Sequence, residues 1–369
     1  METNPLKRLT ELGQSIWLDY IDRQILIDGT LSDLINQDHL AGLTSNPAIF
    51  EKAIAHSDAY SKSIAELHAT HADKETLYEK LVLSDISEAA DRFRPVYDTS
   101  EGRDGYVSIE VSPLLARQTE ATIDQARDLW QRLARPNIMI KVPGTVEGLP
   151  AIHQLLIDGI NVNVTLLFSV GRYVEVLHTY RNALEHRQTE GLPLVKVNSV
   201  ASFFLSRIDS KVDAALDAII AAGGERTEQA RKVRGQAAVA SAAFAYQRFE
   251  ENMSEQRWQS LLAAGARPQR LLWASTSSKD PAFSDIKYIE SLIAKDTVNT
   301  VPMDTLNAYR DHGKPELRIR QAMQSAPAIM HSLTELGIDM KQVDAELEAE
   351  GIDKFIKPYE SLLAKLGSL

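Results

Sequence analysis

Ile138-Met139-Ile140-Lys141-Val142-Pro143-Gly144-Thr145 is a short apolar run that contains one lysine and ends in a Pro-Gly pair. Side chains alternate between the two faces of a strand, so Lys141 shares a face with Met139 and not with Ile140. A lysine between such neighbours is destabilising unless it is paired, serves as a point charge or is kept neutral. A neutral lysine on a strand is a nucleophile toward carbonyl groups. The stretch therefore predicts a buried strand that carries a reactive amine.

Further short apolar runs alternate with longer helical patterns along the whole chain. Helical connections between consecutive strands are typical of parallel βαβ units. Eight such units predict an α/β fold, a closed (β/α)₈ TIM barrel with additional helices, whereas fewer would indicate an open doubly wound sheet. An antiparallel sheet with one wet face is disfavoured by the long helical patterns. The predicted strands are Ser15–Tyr20, Leu40–Ser45, Tyr106–Ser112, Ile138–Val142, Asn161–Phe168, Val195–Phe203, Arg270–Ser275 and Thr297–Val301.

The length of the chain, 369 residues, fits one large domain better than several. We predict a single barrel domain over residues 1–369 with helical insertions at about 46–96 and 227–266. A further helical segment, about 303–369, is longer than one crossover connection needs.

The composition of the chain excludes several classes of function. A net charge of −11 argues against a general binder of nucleic acid or of anionic membranes. The absence of cysteine excludes disulfides, thiolate zinc sites and cysteine nucleophiles. The first residues lack the apolar core of a signal peptide, and the most apolar stretch, Ala237 to Tyr246, is too short to span a bilayer. We therefore expect a cytoplasmic protein that contacts no membrane.

Polar side chains share one face of several predicted strands, toward their C-terminal ends. Strands covered on both sides should be nearly continuous apolar runs, and barrel enzymes build their active sites at this end. The alternation therefore predicts one polar rim. Its members are Asp19 on the first strand, Thr44 and Asn46 at the end of the second, Glu110 on the third, Lys141 on the fourth, and Asn163 and Thr165 on the fifth.

Each of these residues also has a purely structural interpretation. Asp19 could cap the following helix, and Glu110 could be a solvated strand-end carboxylate. Asn46 before Pro47 fits a helix N-cap. A second lysine, Lys196, also falls within a predicted strand, but near its beginning, which in a barrel is the end concerned with stability. Position along the strand therefore favours Lys141, whose alternative role is electrostatic binding of a phosphate.

Several motifs, taken together, resemble the transaldolase family. Gly42-Leu-Thr-Ser-Asn46-Pro47 resembles the family's second-strand motif, and Ile140-Lys141 resembles its Schiff-base strand. Gly159-Ile-Asn-Val-Asn163-Val-Thr165-Leu-Leu-Phe-Ser169 is similar to the strand that follows. The similarity runs from about Trp17 to Pro302.

The resemblance implies a (β/α)₈ barrel enzyme that transfers a dihydroxyacetone unit between sugar phosphates through a lysine Schiff base. The donor would be fructose 6-phosphate or sedoheptulose 7-phosphate, and the acceptor erythrose 4-phosphate or glyceraldehyde 3-phosphate, in the non-oxidative pentose phosphate pathway. It implies no metal and no organic cofactor. The sequence leaves open whether the protein is a monomer or a homodimer.

The resemblance also implies a role for each residue. Lys141 would form the iminium, Asp19 would take the proton from the substrate hydroxyl, and Glu110 with Thr165 would move protons through a water. Asn46 and Asn163 would bind the dihydroxyacetone hydroxyls. Thr44, Ser202 and Phe204 would belong to the substrate site, and Arg207 would hold the phosphate.

The chain departs from the pattern of the resembled family at one position of the substrate site. After the seventh strand it keeps Ser275 but has Ser277 where an arginine is expected, so Lys279 would have to supply that charge.

The nearest rival function is that of an aldolase that releases free dihydroxyacetone. Such relatives lack the third-strand glutamate and carry tyrosine in place of Phe204. A non-catalytic sugar-phosphate sensor is disfavoured because every acid, base and nucleophile is present, and a dehydrogenase because no Gly-x-Gly-x-x-Gly follows the first strand.

Overall fold

Eight parallel strands close into a barrel in the computed structural model, which describes residues 4–69 and 73–368. Each strand pairs with the next in sequence, and β8 pairs with β1 to complete the ring. The predicted (β/α)₈ barrel is confirmed, and each strand overlaps its predicted range. The strands are β1 Gln14–Leu18, β2 Gly42–Thr44, β3 Tyr106–Glu110, β4 Ile138–Pro143, β5 Val162–Leu167, β6 Ser199–Phe204, β7 Arg270–Ala274 and β8 Thr297–Val301.

The predicted start of the sixth strand is wrong. Pairing with β5 begins at Ser199, opposite Val162, and the backbone N–H of Val197 instead donates to Leu194 O in a turn. Lys196 therefore lies in this exposed turn and not in a strand. An apolar run had suggested a strand, but Val195 is itself exposed.

Helices surround the barrel and extend beyond the minimal pattern. Two 3-10 turns, Asp58–Tyr60 and Pro113–Leu115, accompany them. In the described residues, no helix is both long enough and apolar enough to cross a membrane. The helices are α1 Pro5–Glu11, α2 Arg23–Ile27, α3 Thr30–Asp38, α4 Pro47–His56, α5 Ser61–His68, α6 Lys74–Thr99, α7 Thr119–Leu133, α8 Gly148–Ile157, α9 Val170–Thr189, α10 Ser206–Ala222, α11 Thr227–Val233, α12 Ala237–Ser254, α13 Gln256–Ala263, α14 Lys287–Glu290, α15 Met303–His312, α16 Ile319–Glu335 and α17 Met340–Ser368.

Apolar side chains on the outside of the strands pack against the helices. The helices present an apolar face toward the strands. In α7, for example, Ile123, Ala126, Leu129 and Leu133 are buried at helical spacing, while the opposite face is charged. The main core therefore lies between the barrel and the helix layer, which leaves the barrel interior available for polar groups.

The N-terminal end of the barrel is closed by an ion pair. Arg270 on β7 donates to Asp104 at 2.8 Å and to Ser15 on β1 at 2.8 Å, and Ser15 donates to Asp104 at 2.8 Å. Above them the Trp17 ring fills the interior next to Gly42, where an added Cβ would lie only 2.5 Å from the ring. This end is therefore packed and paired.

The C-terminal end of the barrel is crossed by α17. This helix packs against α4, which follows β2, against α10, which follows β6, and against the end of β5. It lies close to β5 at Gly351, where an added Cβ would lie 3.0 Å from a methyl group of Leu166. Leu166 adopts a left-handed backbone conformation (φ 59°) at a register shift in β5, so β5 is irregular at the point where α17 passes.

Candidate active site

The C-terminal ends of the strands surround a cavity of about 80 Å³ beneath α17. Most of the predicted site residues line it; Glu110, Asn163 and Lys279 do not. The lining consists of Asp19, Thr44, Asn46, Lys141, Thr165, Ser202, Phe204, Arg207, Ala274, Ser275, Thr300 and Phe355. The structure thus brings together residues from six strands, from the segments that follow the strands, and from α10 and α17.

Lys141 is buried near the end of β4, and its amine faces the cavity. Its Nζ donates a hydrogen bond to the carbonyl oxygen of Ser45 at 2.9 Å and lies 3.7 Å from Glu110 Oε2. The sheet register explains the second contact, because Glu110 on β3 is the direct neighbour of Lys141 on β4. Lys196, in its exposed turn, has no comparable surroundings.

Glu110 is a buried carboxylate rather than a solvated one. Its side chain is 3% exposed, and neither carboxylate oxygen has a hydrogen-bond partner, since 3.7 Å to Lys141 is too long for one. Burial raises the pKa of Glu110 to about 7, against the opposing effect of the Lys141 charge. The hydroxyl of Thr165 is also buried without a partner. A carboxyl group with this pKa can both accept and donate a proton near neutral pH.

Asp19 follows β1 and accepts a hydrogen bond from Thr44, which in turn contacts Thr300. Thr44 Oγ1 donates to Asp19 at 2.8 Å, and the Thr44 and Thr300 hydroxyls lie 2.7 Å apart. Burial raises the pKa of Asp19, while the charge of Lys141 and the Thr44 hydrogen bond oppose the rise. The helix cap that Asp19 could have provided is supplied by Asp22, which caps α2. Asp19 is therefore not engaged in capping the helix that follows.

The two predicted asparagines, Asn46 and Asn163, differ in their position relative to the cavity. Asn46 caps α4 through Oδ1, which accepts from the Ile49 N–H at 3.0 Å, so its Nδ2 is the group left for the cavity. Asn163 lies outside the cavity lining, where Nδ2 donates to Ser108 at 3.1 Å and Oδ1 accepts from Ser202 at 2.6 Å. In this structure Asn163 orients Ser202, which lines the cavity, and both ends of its amide are already engaged.

Arg207 provides a positive charge in the lining of the cavity. It is the second residue of α10, and its Nη1 is buried without a hydrogen-bond partner. Burial lowers the pKa of Arg207, and Asp19 and Glu110 oppose this effect. A partly desolvated guanidinium whose Nη1 has no hydrogen-bond partner is suited to binding an oxyanion bidentately.

The loop after β7 adds polar groups beside Arg207. Ser275 has a left-handed backbone (φ 54°), and its hydroxyl is 2.8 Å from that of Ser206. Lys279 donates to Ser277, the residue in the position where an arginine was expected. Burial lowers the pKa of Lys279, and Arg207 and Lys52 lower it further. The loop thus carries a second cation near Arg207, although Lys279 does not line the cavity.

The fold and this geometry agree with comparisons with known proteins. A family model described as transaldolase/fructose-6-phosphate aldolase matches residues 16–366. This chain belongs to the transaldolase/fructose-6-phosphate aldolase family. It is 45% identical to "Transaldolase 2" of Nostoc sp. over 99% of this chain and 97% of that protein. It is 45% identical to "Transaldolase" of Thiobacillus denitrificans (99% and 100%), and 47% identical to "Transaldolase" of Acidothermus cellulolyticus (98% and 96%).

Three residues that line the cavity, Ala274, Thr300 and Phe355, were not predicted as site residues from the sequence. Thr300 lies on a strand, Thr-Val-Asn-Thr-Val, whose threonines fit any half-buried strand and so give no signal of function. Phe355 lies in α17, and an apolar residue at helical spacing indicates only a buried helix face. Within the described part of the chain, no cluster of His, Asp and Glu side chains could hold a metal ion.

Proposed function

We propose that this protein is a transaldolase that transfers a dihydroxyacetone unit from a ketose phosphate to an aldose phosphate through a Schiff base on Lys141. The observation that carries the proposal is the buried amine of Lys141, 3.7 Å from the buried Glu110 carboxylate and in one cavity with Asp19 and Arg207. Fructose 6-phosphate and sedoheptulose 7-phosphate are the proposed donors, and erythrose 4-phosphate and glyceraldehyde 3-phosphate the acceptors. The names of the similar proteins support the transaldolase reaction.

The Schiff base forms when Lys141 Nζ attacks the ketose carbonyl and water is lost. The attacking amine must be neutral, and the carbinolamine hydroxyl must leave with a proton. Glu110 is the acid and base for both transfers, since its pKa of about 7 allows it to carry the proton in either direction. The unpartnered Thr165 hydroxyl is available to hold the water through which the proton moves.

Cleavage follows when Asp19 removes the proton from the hydroxyl group next to the scissile carbon–carbon bond. The bond electrons move into the iminium, which becomes an enamine, and the aldehyde portion leaves. Asp19 then returns the proton as the enamine attacks the acceptor aldehyde. Asn46 Nδ2 and Ser202 bind the hydroxyls of the three-carbon unit, with Thr44 holding Asp19 and Asn163 holding Ser202.

The phosphate lies at the Arg207 side of the cavity in this proposal. Arg207 supplies the paired N–H groups, Ser275 a hydroxyl, and Lys279 a second positive charge from the loop after β7. This arrangement lets the chain bind a sugar phosphate without an arginine at position 277. Phe204 packs beside Arg207, with 5.3 Å from the guanidinium carbon to the ring centre.

Trapping the intermediate tests the nucleophile. Incubation with fructose 6-phosphate followed by borohydride reduction should leave a stable adduct on Lys141, located by mass spectrometry. Lys141→Met should abolish both the adduct and turnover. Lys196→Met is the matched control and should retain both, because Lys196 lies in an exposed turn. An adduct on Lys196, or turnover without any adduct, would contradict the mechanism.

The rival function, an aldolase that releases free dihydroxyacetone, is separated by its products. A transaldolase consumes fructose 6-phosphate rapidly only when an aldose phosphate acceptor is present. Fast release of dihydroxyacetone without an acceptor would favour the rival. The buried Glu110 and the phenylalanine at position 204 favour transfer.

A further inference from the structure

Phe355 of α17 places one aromatic ring over both cations of the cavity. The ring centre is 5.7 Å from Lys141 Nζ and 5.8 Å from the guanidinium carbon of Arg207. Both distances are within the range of cation–π contacts. In the proposed reaction these two residues hold the opposite ends of the substrate, the carbonyl end and the phosphate end. The ring therefore covers the reacting end as well as the path toward the phosphate.

The position of this ring is fixed by how α17 is attached. One turn before Phe355, Gly351 lets the helix approach Leu166 and Phe168. On its N-terminal side, Glu346 and Glu350 pair with Lys211 of α10 at 2.6 and 2.7 Å.

On its C-terminal side, α17 is held through Tyr359, whose ring packs edge-on against Tyr78 of α6 with ring centres 5.2 Å apart. Phe355 lies between these attachments, so the stretch of helix that carries its ring is held in place while the side chain itself remains able to rotate.

The space beneath the ring is smaller than the proposed substrate needs. The cavity encloses about 80 Å³, whereas pockets that enclose drug-sized ligands measure about 300–1,000 Å³. The cavity must therefore widen to admit a ketose phosphate, and rotation of the Phe355 side chain would widen it. Once the aldehyde product has left, only three substrate carbons remain on Lys141, and the ring can return over them.

We propose that Phe355 determines the fate of this three-carbon intermediate by keeping water away from it until an aldose phosphate enters. The inference rests on the proposed transaldolase function. The enamine carbon has two fates. It can attack an acceptor aldehyde, which forms a carbon–carbon bond while Asp19 protonates the new alkoxide. Alternatively it takes a proton from water, and a second water then breaks the resulting C=N bond, which frees dihydroxyacetone and the lysine amine. An apolar ring over Lys141 hinders the second fate.

Substituting the ring tests this role through the ratio of free dihydroxyacetone to transferred product. With fructose 6-phosphate and erythrose 4-phosphate, Phe355→Ala should raise this ratio by about tenfold, a change of about 1.4 kcal/mol in the difference between two barriers. Phe355→Leu should restore most of the wild-type ratio, because it keeps apolar bulk over Lys141. Ile352→Ala is the matched control: Ile352 is buried on the same helix but does not line the cavity, so the ratio should not change.

Three results would overturn the inference. One is an unchanged ratio in a folded Phe355→Ala protein. Another is an equal rise in Ile352→Ala, which would assign the effect to the seating of the helix. The third is loss of the Lys141 adduct in a folded Phe355→Ala protein, which would make the ring necessary for Schiff-base formation. If wild-type protein itself gives no adduct on Lys141, the proposed function fails instead, so the two failures are distinguishable.

Discussion

Glu110 combines two properties that seldom occur together in a side chain with only a structural role. It is buried, and both of its carboxylate oxygens lack a hydrogen-bond partner. Desolvation of this kind destabilises the folded protein when the group is ionised. Its retention beside Lys141 is understandable if the carboxyl group moves protons during the reaction.

Glu110→Gln should therefore slow turnover and stabilise the fold at alkaline pH. Loss of a general acid and base should lower kcat by about 10² to 10⁴-fold. The folded-state pKa of Glu110 is raised from 4.5 to about 7. In the wild-type protein, the contribution of Glu110 to the free energy of unfolding is therefore fully present below pH 4.5 and is lost as the pH rises through 7.

Urea unfolding at two pH values measures this effect. Glutamine cannot ionise, so the variant should be more stable than wild type at pH 8, on the order of 2 kcal/mol, with a much smaller difference at pH 5. Equal kcat values would remove Glu110 from the chemistry. Equal stability of the two proteins at pH 8 would show that its carboxylate is well solvated.

At this scale the sequence predicted much of the site. Strand alternation and position along the strand selected Lys141 over Lys196, and they gave Asp19 and Glu110 as its neighbours. The sequence could not reveal that the backbone carbonyl of Ser45 would accept a hydrogen bond from Lys141, because every residue carries a backbone carbonyl. Thr300 was missed for a similar reason: its importance comes from a contact with Thr44, 256 positions earlier.

Among the elements, α17 differs most from a simple crossover helix. The sequence predicts a helical segment at about 303–369, and α15, α16 and α17 form there. The place of α17 over the barrel mouth depends on surfaces of α4, α10 and β5, which lie far away in the sequence. The left-handed conformation of Leu166, which shapes the contact with Gly351, was also unpredictable, because leucine disfavours that region.

Asp344 should make the attachment of α17 sensitive to pH. Burial, together with the negative charge of Asp339, raises its pKa from 3.8 to about 7, and its Oδ1 is buried without a partner. Because the folded-state pKa is raised, the contribution of Asp344 to the free energy of unfolding is fully present below about pH 4 and is lost as the pH rises through 7.

Asp344→Asn should raise the stability of the protein at pH 8.5 by about 1 kcal/mol, a value reduced for the partial exposure of the side chain. At pH 5 the gain should be smaller. Asp353→Asn is the control, since Asp353 is exposed on the same helix. Thermal unfolding at both pH values measures the change. The same gain in both variants would point to the overall reduction in negative charge instead.

Across the whole molecule, the two ends of the barrel have different properties. The N-terminal end is filled by Trp17 and closed by the Arg270–Asp104 ion pair, whereas the C-terminal end holds unpartnered groups around a cavity. Alternation predicted the closed barrel and the polar end. It did not predict the ion pair, because Asp104 lies in the segment before β3, outside any strand pattern.

Asp104→Ala should lower the free energy of unfolding without changing the chemistry. Removing one partner leaves the Arg270 guanidinium buried and uncompensated, which destabilises by about 3–5 kcal/mol. The kcat/KM of the protein that remains folded should equal that of wild type, because the pair lies at the opposite end from Lys141. Chemical denaturation and steady-state kinetics at 20 °C test both parts. A large fall in kcat/KM of fully folded protein would contradict this separation.

The crossing of α17 over the barrel also determines the order in which the protein can assemble. The surface that receives α17 combines α4, β5 and α10, segments that become neighbours only when the strands between them have paired. Before that, docking the helix onto α4 alone would close a loop of almost 300 residues for only part of the final packing of α17. The barrel must therefore form first, and the cavity that holds Lys141 is covered only in the closing stage of folding.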